Sequence, residues 1–114
     1  MAVENVVIII NNNGMGVADK TLSRKLARTY LGVLDASDSL PRSICLYAEG
    51  VKLAVKGSTV IEEFEALVAK GVQLLVCTTC LNHFGMMNDL QVGAAVGMKE
   101  IVEAQWEAAK VITL

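Results

Sequence analysis

Two cysteines with C-x-x-C spacing, Cys77 and Cys80, are the residues of this sequence best suited to chemistry. They close an apolar run, VQLLVC, that predicts a buried strand over residues 72–77, which places them at the carboxyl end of a sheet. Two thiols at this spacing fit a relay in which one attacks or carries sulfur and the other resolves the product as a disulfide. If Cys80 begins the next helix, nearby backbone donors and the helix dipole favour its thiolate.

Asn82 and His83 follow the thiols and are candidate supporting residues. His83 extends the pattern to C-x-x-C-x-x-H, but a structural zinc site takes four protein ligands and only Cys45 remains, so we predict no metal. Cys45 lies inside an apolar strand and is predicted to be a buried, inert thiol. Simple packing is the alternative reading for the C-x-x-C pair as well, because cysteine is a small residue that is often buried.

Strands that alternate with helices must position these thiols. The patterns predict one domain, residues 1–114, with a mainly parallel sheet and right-handed crossovers, hence a three-layer α/β fold. Residues 50–57 alternate like a strand but are short and bracketed by glycines. Asp19 is predicted to cap a helix whose apolar positions recur at three- and four-residue spacing; these positions are Leu22, Leu26, Tyr30, Val33 and Leu34. The predicted strands are residues 5–10, 43–48, 72–77, 92–96 and 109–114.

The loop after the first strand is a second candidate element of the site. Asn11, Asn12, Asn13 and Gly14 emerge at the same sheet edge as the thiols, and their backbone N–H groups are predicted to stabilise an anionic sulfur. The following Gly14-Met15-Gly16 lacks the third glycine of a dinucleotide fingerprint, so we predict no nicotinamide or other cofactor.

The composition excludes some classes of binding partner and favours another. A net charge of −2 and an aromatic share of 4% argue against nucleic acid. The sequence contains no apolar stretch near the roughly 20 residues of a membrane span and no basic leader, so we expect a cytoplasmic protein without membrane contact. An apolar share of 54% predicts burial against other copies, hence a homo-oligomer.

Two phrases carry a family resemblance: GVKLAVKGS, residues 50–58, and CTTCLNHFG, residues 77–85. With these phrases the sequence resembles the DsrE/DsrF-like family of small sulfur-relay proteins. It is most similar to the carboxyl-terminal domain of the YedF-type, selenium-metabolism branch, where the phrases read gV-K-L-x-x-x-G-S and C-G-T-C-L-x-x-F/Y-G. Thr78 replaces the usual glycine of the second phrase.

The resemblance implies a five-stranded α/β/α sandwich, assembly into trimers or hexamers, and a short helix at residues 50–57. It also implies a persulfide-bearing cysteine at Cys77, with Cys80 as the second thiol. YedF-type proteins usually carry an amino-terminal sulfur-carrier-like domain, whereas this chain begins at its first strand. We therefore expect sulfur donor and acceptor to be separate proteins.

The leading hypothesis is a small sulfurtransferase-like carrier that holds sulfur as a persulfide at the C-x-x-C. Two alternatives remain open. One is a non-catalytic oligomeric binding or scaffold subunit with packed thiols, and the other is a thiol-disulfide redox switch.

Overall fold

The computed structural model describes residues 2–114 and contains a five-stranded, all-parallel sheet with strand order β4-β3-β2-β1-β5. The prediction of an α/β sandwich with a mainly parallel five-stranded sheet is confirmed. Its elements are β1 (Ala2–Ile10), α1 (Lys20–Ala36), β2 (Ser39–Leu46), a 3-10 segment (Ala48–Ala54), α2 (Ile61–Ala69), β3 (Gln73–Cys77), α3 (Thr78–His83), a short 3-10 turn (Met87–Asp89), β4 (Ala94–Val96), α4 (Met98–Glu107) and β5 (Lys110–Thr113).

Helices cover both faces of the sheet. Successive β1 side chains point to opposite faces: Ile8 shares one face with Tyr30 of α1, and Val7 shares the other with Ala104 of α4. Helices α1 and α2 pack against each other on the first face, while α4 crosses the second face from β4 at one edge to β5 at the other. Among residues 2–114, every helix is too short or too polar to cross a bilayer.

Strands β1 and β2, both in the interior of the sheet, form much of the core because they are apolar on both faces. Residues 7–10 of β1 and residues 44–46 of β2 are each at most 2% exposed. Helix α2 adds Phe64 and Leu67 to the same cluster. Each fully buried apolar side chain of this size contributes roughly 1.5–3 kcal/mol, so the central strands form a rigid base for the loops at their carboxyl ends.

Helix α1 forms as predicted, but its buried face differs from the prediction. Asp19 caps it through a 3.0 Å hydrogen bond from Leu22 N to Asp19 Oδ1. Of the five predicted apolar positions, Tyr30 and Leu34 are partly buried against the core, whereas Leu22, Leu26 and Val33 are exposed. The fully buried residues of the helix are Ser23, Ala27 and Leu31.

The loop preceding α1 explains this rotation. Gly14 lies so close to the helix that a Cβ at this position would be 2.6 Å from Ser23 Oγ. Met15 N also donates to Ser23 O at 2.8 Å. The small Ser23 therefore faces the loop, and the larger apolar residues of the neighbouring helical stripe point outward.

Residues 48–54 form the short helix that the resemblance implied, and not the strand that the alternating pattern suggested. Val55, just after this helix, makes an isolated β-bridge to Leu90. Gly50 allows the segment to lie against the end of β1, because a Cβ there would be 2.1 Å from Ile10 O. Tyr47 N donates to the same carbonyl at 3.3 Å. The loop after β2 thus closes over the end of β1 and packs on α3.

Candidate functional site

The two thiols of the C-x-x-C occupy different environments. Cys77 ends β3 and is the N-cap residue of α3, and its side chain is fully buried. Cys80 lies one turn into α3 and is partly exposed. All three cysteines lie within the described residues and are free, and Cys80 is the one that reaches the surface.

A backbone group from a neighbouring loop contacts the exposed thiol. The N–H of Ala48 donates to Cys80 Sγ across 3.1 Å. Ala48 has φ +52°, a left-handed conformation that is uncommon for residues other than glycine and recurs at functional sites. No signal in the sequence indicated this residue, since nothing about an alanine between a strand and a 3-10 segment indicates a sulfur contact.

The surroundings of Cys80 favour the thiol over the thiolate. Burial raises the pKa of Cys80, and a hydrogen bond and charge interaction with Cys77 raise it further, while the Ala48 N–H lowers it. The net direction is upward, opposite to the expectation from a helix start. Desolvation outweighs the dipole here because α3 has only six residues and begins one turn earlier, at the buried Cys77.

The loop Asn11–Gly14 emerges at the predicted edge of the sheet but is held mainly by its own contacts. Asn12 Nδ2 donates to Gly16 O at 2.9 Å, and Asn13 N donates to Asn12 Oδ1 at 2.9 Å. Gly14 is buried against α1. The backbone amide of Asn13 therefore already has a partner within the loop. Stabilisation of a sulfur anion by this loop stays a prediction.

His83 and Asn82, the candidate supporting residues, are both exposed at the end of α3. The His83 ring packs edge-on against Phe84, with centroids 5.2 Å apart. Lys52 also lies over the Phe84 ring, with its Nζ 4.5 Å from the ring centroid and 2.6 Å from Glu49 Oε2. The structure thus places a cation-bearing 3-10 segment beside α3, while a role for His83 or Asn82 stays a prediction.

Cys45 matches its prediction as an inert thiol. It is fully buried in β2, and burial raises its pKa to about 11. Its register partners, Ile9 and Leu75, flank it on the two neighbouring strands, so the thiol lies within the sheet. Within residues 2–114, no group of three or more His, Cys, Asp or Glu side chains is placed to hold a metal ion.

Solved structures with the same fold come from several organisms. The ychN protein from E. coli is 22% identical, with a TM-score of 0.70 over 97% of this chain and 99% of its own. MTH1491 from Methanobacterium thermoautotrophicum is 22% identical, with a TM-score of 0.67 over 96% and 97%. BT1422 from Bacteroides thetaiotaomicron is 14% identical, with a TM-score of 0.61 over 96% and 95%. These likenesses concern the fold.

Sequence comparison identifies the family. No curated protein matches the chain at a significant level. The model of the DsrE/DsrF-like family, by contrast, matches residues 5–114, which include every strand end and both cysteines of the C-x-x-C. This chain therefore belongs to the DsrE/DsrF-like family.

Proposed function

We propose that this protein is a sulfur carrier that holds sulfur as a persulfide on the Cys77–Cys80 pair. The observation that carries the proposal is the setting of Cys80, a partly exposed free thiol that follows the buried Cys77 by three residues and accepts a backbone N–H. Membership of the DsrE/DsrF-like family supports it. The finer similarity to the YedF-type branch rests on residues 50–58 and 77–85 and is part of the proposal.

The loading step is a thiol exchange at sulfur. Cys80 loses its proton to solvent, and its thiolate attacks the outer sulfur of a donor persulfide, R–S–SH. The donor S–S bond breaks, a new S–S bond forms on Cys80, and the donor leaves as R–S⁻, which takes up a proton. The net reaction converts R–SSH and Cys80–SH into R–SH and Cys80–SSH, so no external oxidant or reductant is needed.

The exposure of the two thiols and the family resemblance lead to different assignments of the carrier role. The resemblance makes Cys77 the carrier, whereas exposure favours Cys80 as the thiol that meets the donor, because Cys77 is buried. We propose Cys80 as the carrier and Cys77 as the resolving thiol. Attack of the Cys77 thiolate on Cys80 Sγ then forms a Cys77–Cys80 disulfide and releases HS⁻, and a dithiol reductant is needed to restore the pair.

The proposal includes separate donor and acceptor proteins, a cytoplasmic location, and a homo-oligomer of three or six chains. Exposed apolar residues support assembly. On α4, Met98, Val102 and Trp106 recur every four residues and form one outward stripe, and Trp106 is 85% exposed. Stripes of this kind on single chains often mark contact surfaces.

Intact-mass analysis after incubation with a small persulfide donor tests the carrier function. We expect a mass increase of one sulfur on the wild type and on the matched control Cys45→Ala, removed by a reducing thiol, and no increase on Cys80→Ser. Reduction is needed because a sulfinic acid adds nearly the same mass but resists thiols. If Cys77→Ser is the only variant that loses loading, Cys77 is the carrier and Cys80 the resolving thiol. Absence of loading on the folded wild type would contradict the carrier function.

A thiol-disulfide switch is a second candidate, favoured by the placement of two free thiols, Cys77 and Cys80, at the start of one helix. It predicts a reversible Cys77–Cys80 disulfide whose reduction potential is near that of the cytosolic glutathione pool. Titration in glutathione buffers, read by mass after thiol alkylation, separates the candidates, because the switch forms the disulfide without any persulfide donor.

A further inference from the structure

A cavity of about 200 Å³ opens beside the thiol site, where the loops after three neighbouring strands meet. Asn13 comes from the loop after β1, residues 52–59 follow β2, and Met86 follows α3. The carboxyl ends of the strands in an open parallel sheet are where α/β proteins bind ligands. The position alone therefore makes this cavity a candidate ligand site.

Three cations from two elements converge on this cavity. Arg24 projects from α1, and Lys52 and Lys56 come from the stretch between β2 and α2. The chain as a whole is slightly acidic, with 12 acidic and 10 basic residues, yet no aspartate or glutamate is among the described residues that line the cavity. The positive cavity is therefore a local arrangement rather than a reflection of overall charge.

Two of these cations are available to a ligand. Lys52 is within 2.6 Å of Glu49, so its charge is partly balanced. Arg24 and Lys56 have no carboxylate within 4 Å among the described residues. A guanidinium offers paired donors to a planar or tetrahedral oxyanion, and an ammonium adds a point charge.

Neutral donors complete the lining. Ser58 and Thr59 supply hydroxyl groups and Asn13 a side-chain amide. Ser58 Oγ already accepts from Val60 N at 3.2 Å, which leaves its hydroxyl hydrogen to donate outward. Gly57, with φ +92°, turns the chain so that Lys56 and Ser58 flank the same opening. The GVKLAVKGS phrase thus builds most of this cavity.

We propose that this cavity binds a small oxyanion of the phosphate or sulfate class, either free or as the terminal group of a small organic molecule. Arg24 and Lys56 bind the anion, Lys52 adds charge at the side nearest Phe84, and the hydroxyls of Ser58 and Thr59 donate to its remaining oxygens. The inference does not depend on sulfur chemistry at Cys80, since none of these residues is a thiol.

Thermal unfolding at constant pH and ionic strength tests the site with sodium phosphate, sodium sulfate and glycerol phosphate as probes, against sodium chloride. Binding to the folded state raises Tm with ligand concentration. We expect a saturable rise for the wild type and a Kd about tenfold higher in Arg24→Gln and in Lys56→Gln, the loss typical of one charged hydrogen bond. The matched controls are Lys25→Gln on α1 and Lys110→Gln on β5, which remove the same charge elsewhere.

Each outcome decides the proposal. A larger Tm rise with glycerol phosphate than with phosphate supports an organic ligand, and the reverse supports a free anion. No difference between oxyanions and chloride would overturn the site. Equal Kd values in all four variants would also overturn it, because binding would then occur elsewhere. Lys56 is exposed, so its replacement tests the site even if Arg24→Gln fails to fold.

Discussion

Cys45 and Cys80 are the same residue type in two regions of one sheet, and their environments differ in what surrounds the sulfur. Cys45 lies within β2 between two neighbouring strands, fully buried, and burial is the cause of its raised pKa. Cys80 lies beyond the end of β3, in α3, where a backbone N–H and solvent both reach its sulfur. Exposure of a thiol in this fold therefore depends on whether the residue lies within the sheet or beyond its end.

The same contrast separates the rigid and adaptable parts of the molecule. Positions within the sheet are fixed by hydrogen bonds to neighbouring strands, and their side chains are held among closely packed neighbours. Strand ends are followed by loops, and only loops can supply amides and cations at angles that a sheet does not offer. The left-handed Ala48 is an example, because its N–H points at a sulfur instead of joining the ladder.

Alkylation rates should show the largest difference between the two regions. In the folded protein we expect iodoacetamide to modify Cys80 at least roughly a thousandfold faster than Cys45, because Cys45 reacts only when the core opens. Peptide mass mapping over a time course measures both rates at once. Comparable rates in the native protein would contradict the comparison, and equal rates in urea provide the control.

Gly50→Ala should disrupt the 3-10 segment after β2 while leaving the packing around Cys45 intact. An added Cβ would meet the Ile10 carbonyl at 2.1 Å, and backbone cannot move aside cheaply. We expect the free energy of unfolding to fall by about 2–4 kcal/mol, as for other substitutions that force backbone strain. Urea denaturation measures the change.

Gly32→Ala is the matched control on helix α1, where a Cβ meets nothing within 4 Å. It should raise the free energy of unfolding by roughly 0.5–1 kcal/mol, since alanine favours helix. A Gly50→Ala protein as stable as the wild type would show that the 3-10 segment is not held by this contact.

Alkaline pH should destabilise the protein through Cys45. Its pKa is raised from the ordinary value of 9.0 to about 11, so the folded state holds the proton more tightly than the unfolded state. The resulting stability is present below pH 9 and is lost as the pH rises through 11, amounting to roughly 2 kcal/mol by pH 10.5. Urea denaturation at pH 8 and pH 10.5 should show a smaller loss in Cys45→Ala. Equal losses in both proteins would exclude Cys45 as the cause.

The smallest effect concerns the two thiols of the pair. Burial raises the pKa of Cys80, and a hydrogen bond and charge interaction with Cys77 raise it further. Cys77→Ala should therefore lower the pKa of Cys80, although burial will still hold it above its ordinary value. The pH dependence of the iodoacetamide rate at Cys80 measures the change, and Cys45→Ala serves as the control. An unchanged or higher pKa in Cys77→Ala would show that the neighbouring thiol does not act on Cys80.

Much of the framework could be predicted because it depends on local patterns. The apolar run at residues 5–10 indicated a strand buried on both faces, and the C-x-x-C was placed correctly at the end of β3. The buried face of α1 could not be predicted, because its sequence holds two apolar stripes. The choice between them came from the close contact of Gly14 with Ser23, two residues whose proximity no helical periodicity encodes.

The sequence by itself determined the parallel α/β pattern, the strand-end position of Cys77 and the burial of Cys45, because apolar periodicity and turn-forming residues act over short distances. Only the tertiary structure decided that Cys80 is exposed while Cys77 is buried, that Ala48 donates to Cys80, and that Arg24 joins Lys52 and Lys56 around one cavity. These features join residues that are distant along the chain, and the packing of three loops at one sheet edge brings them within reach of one another.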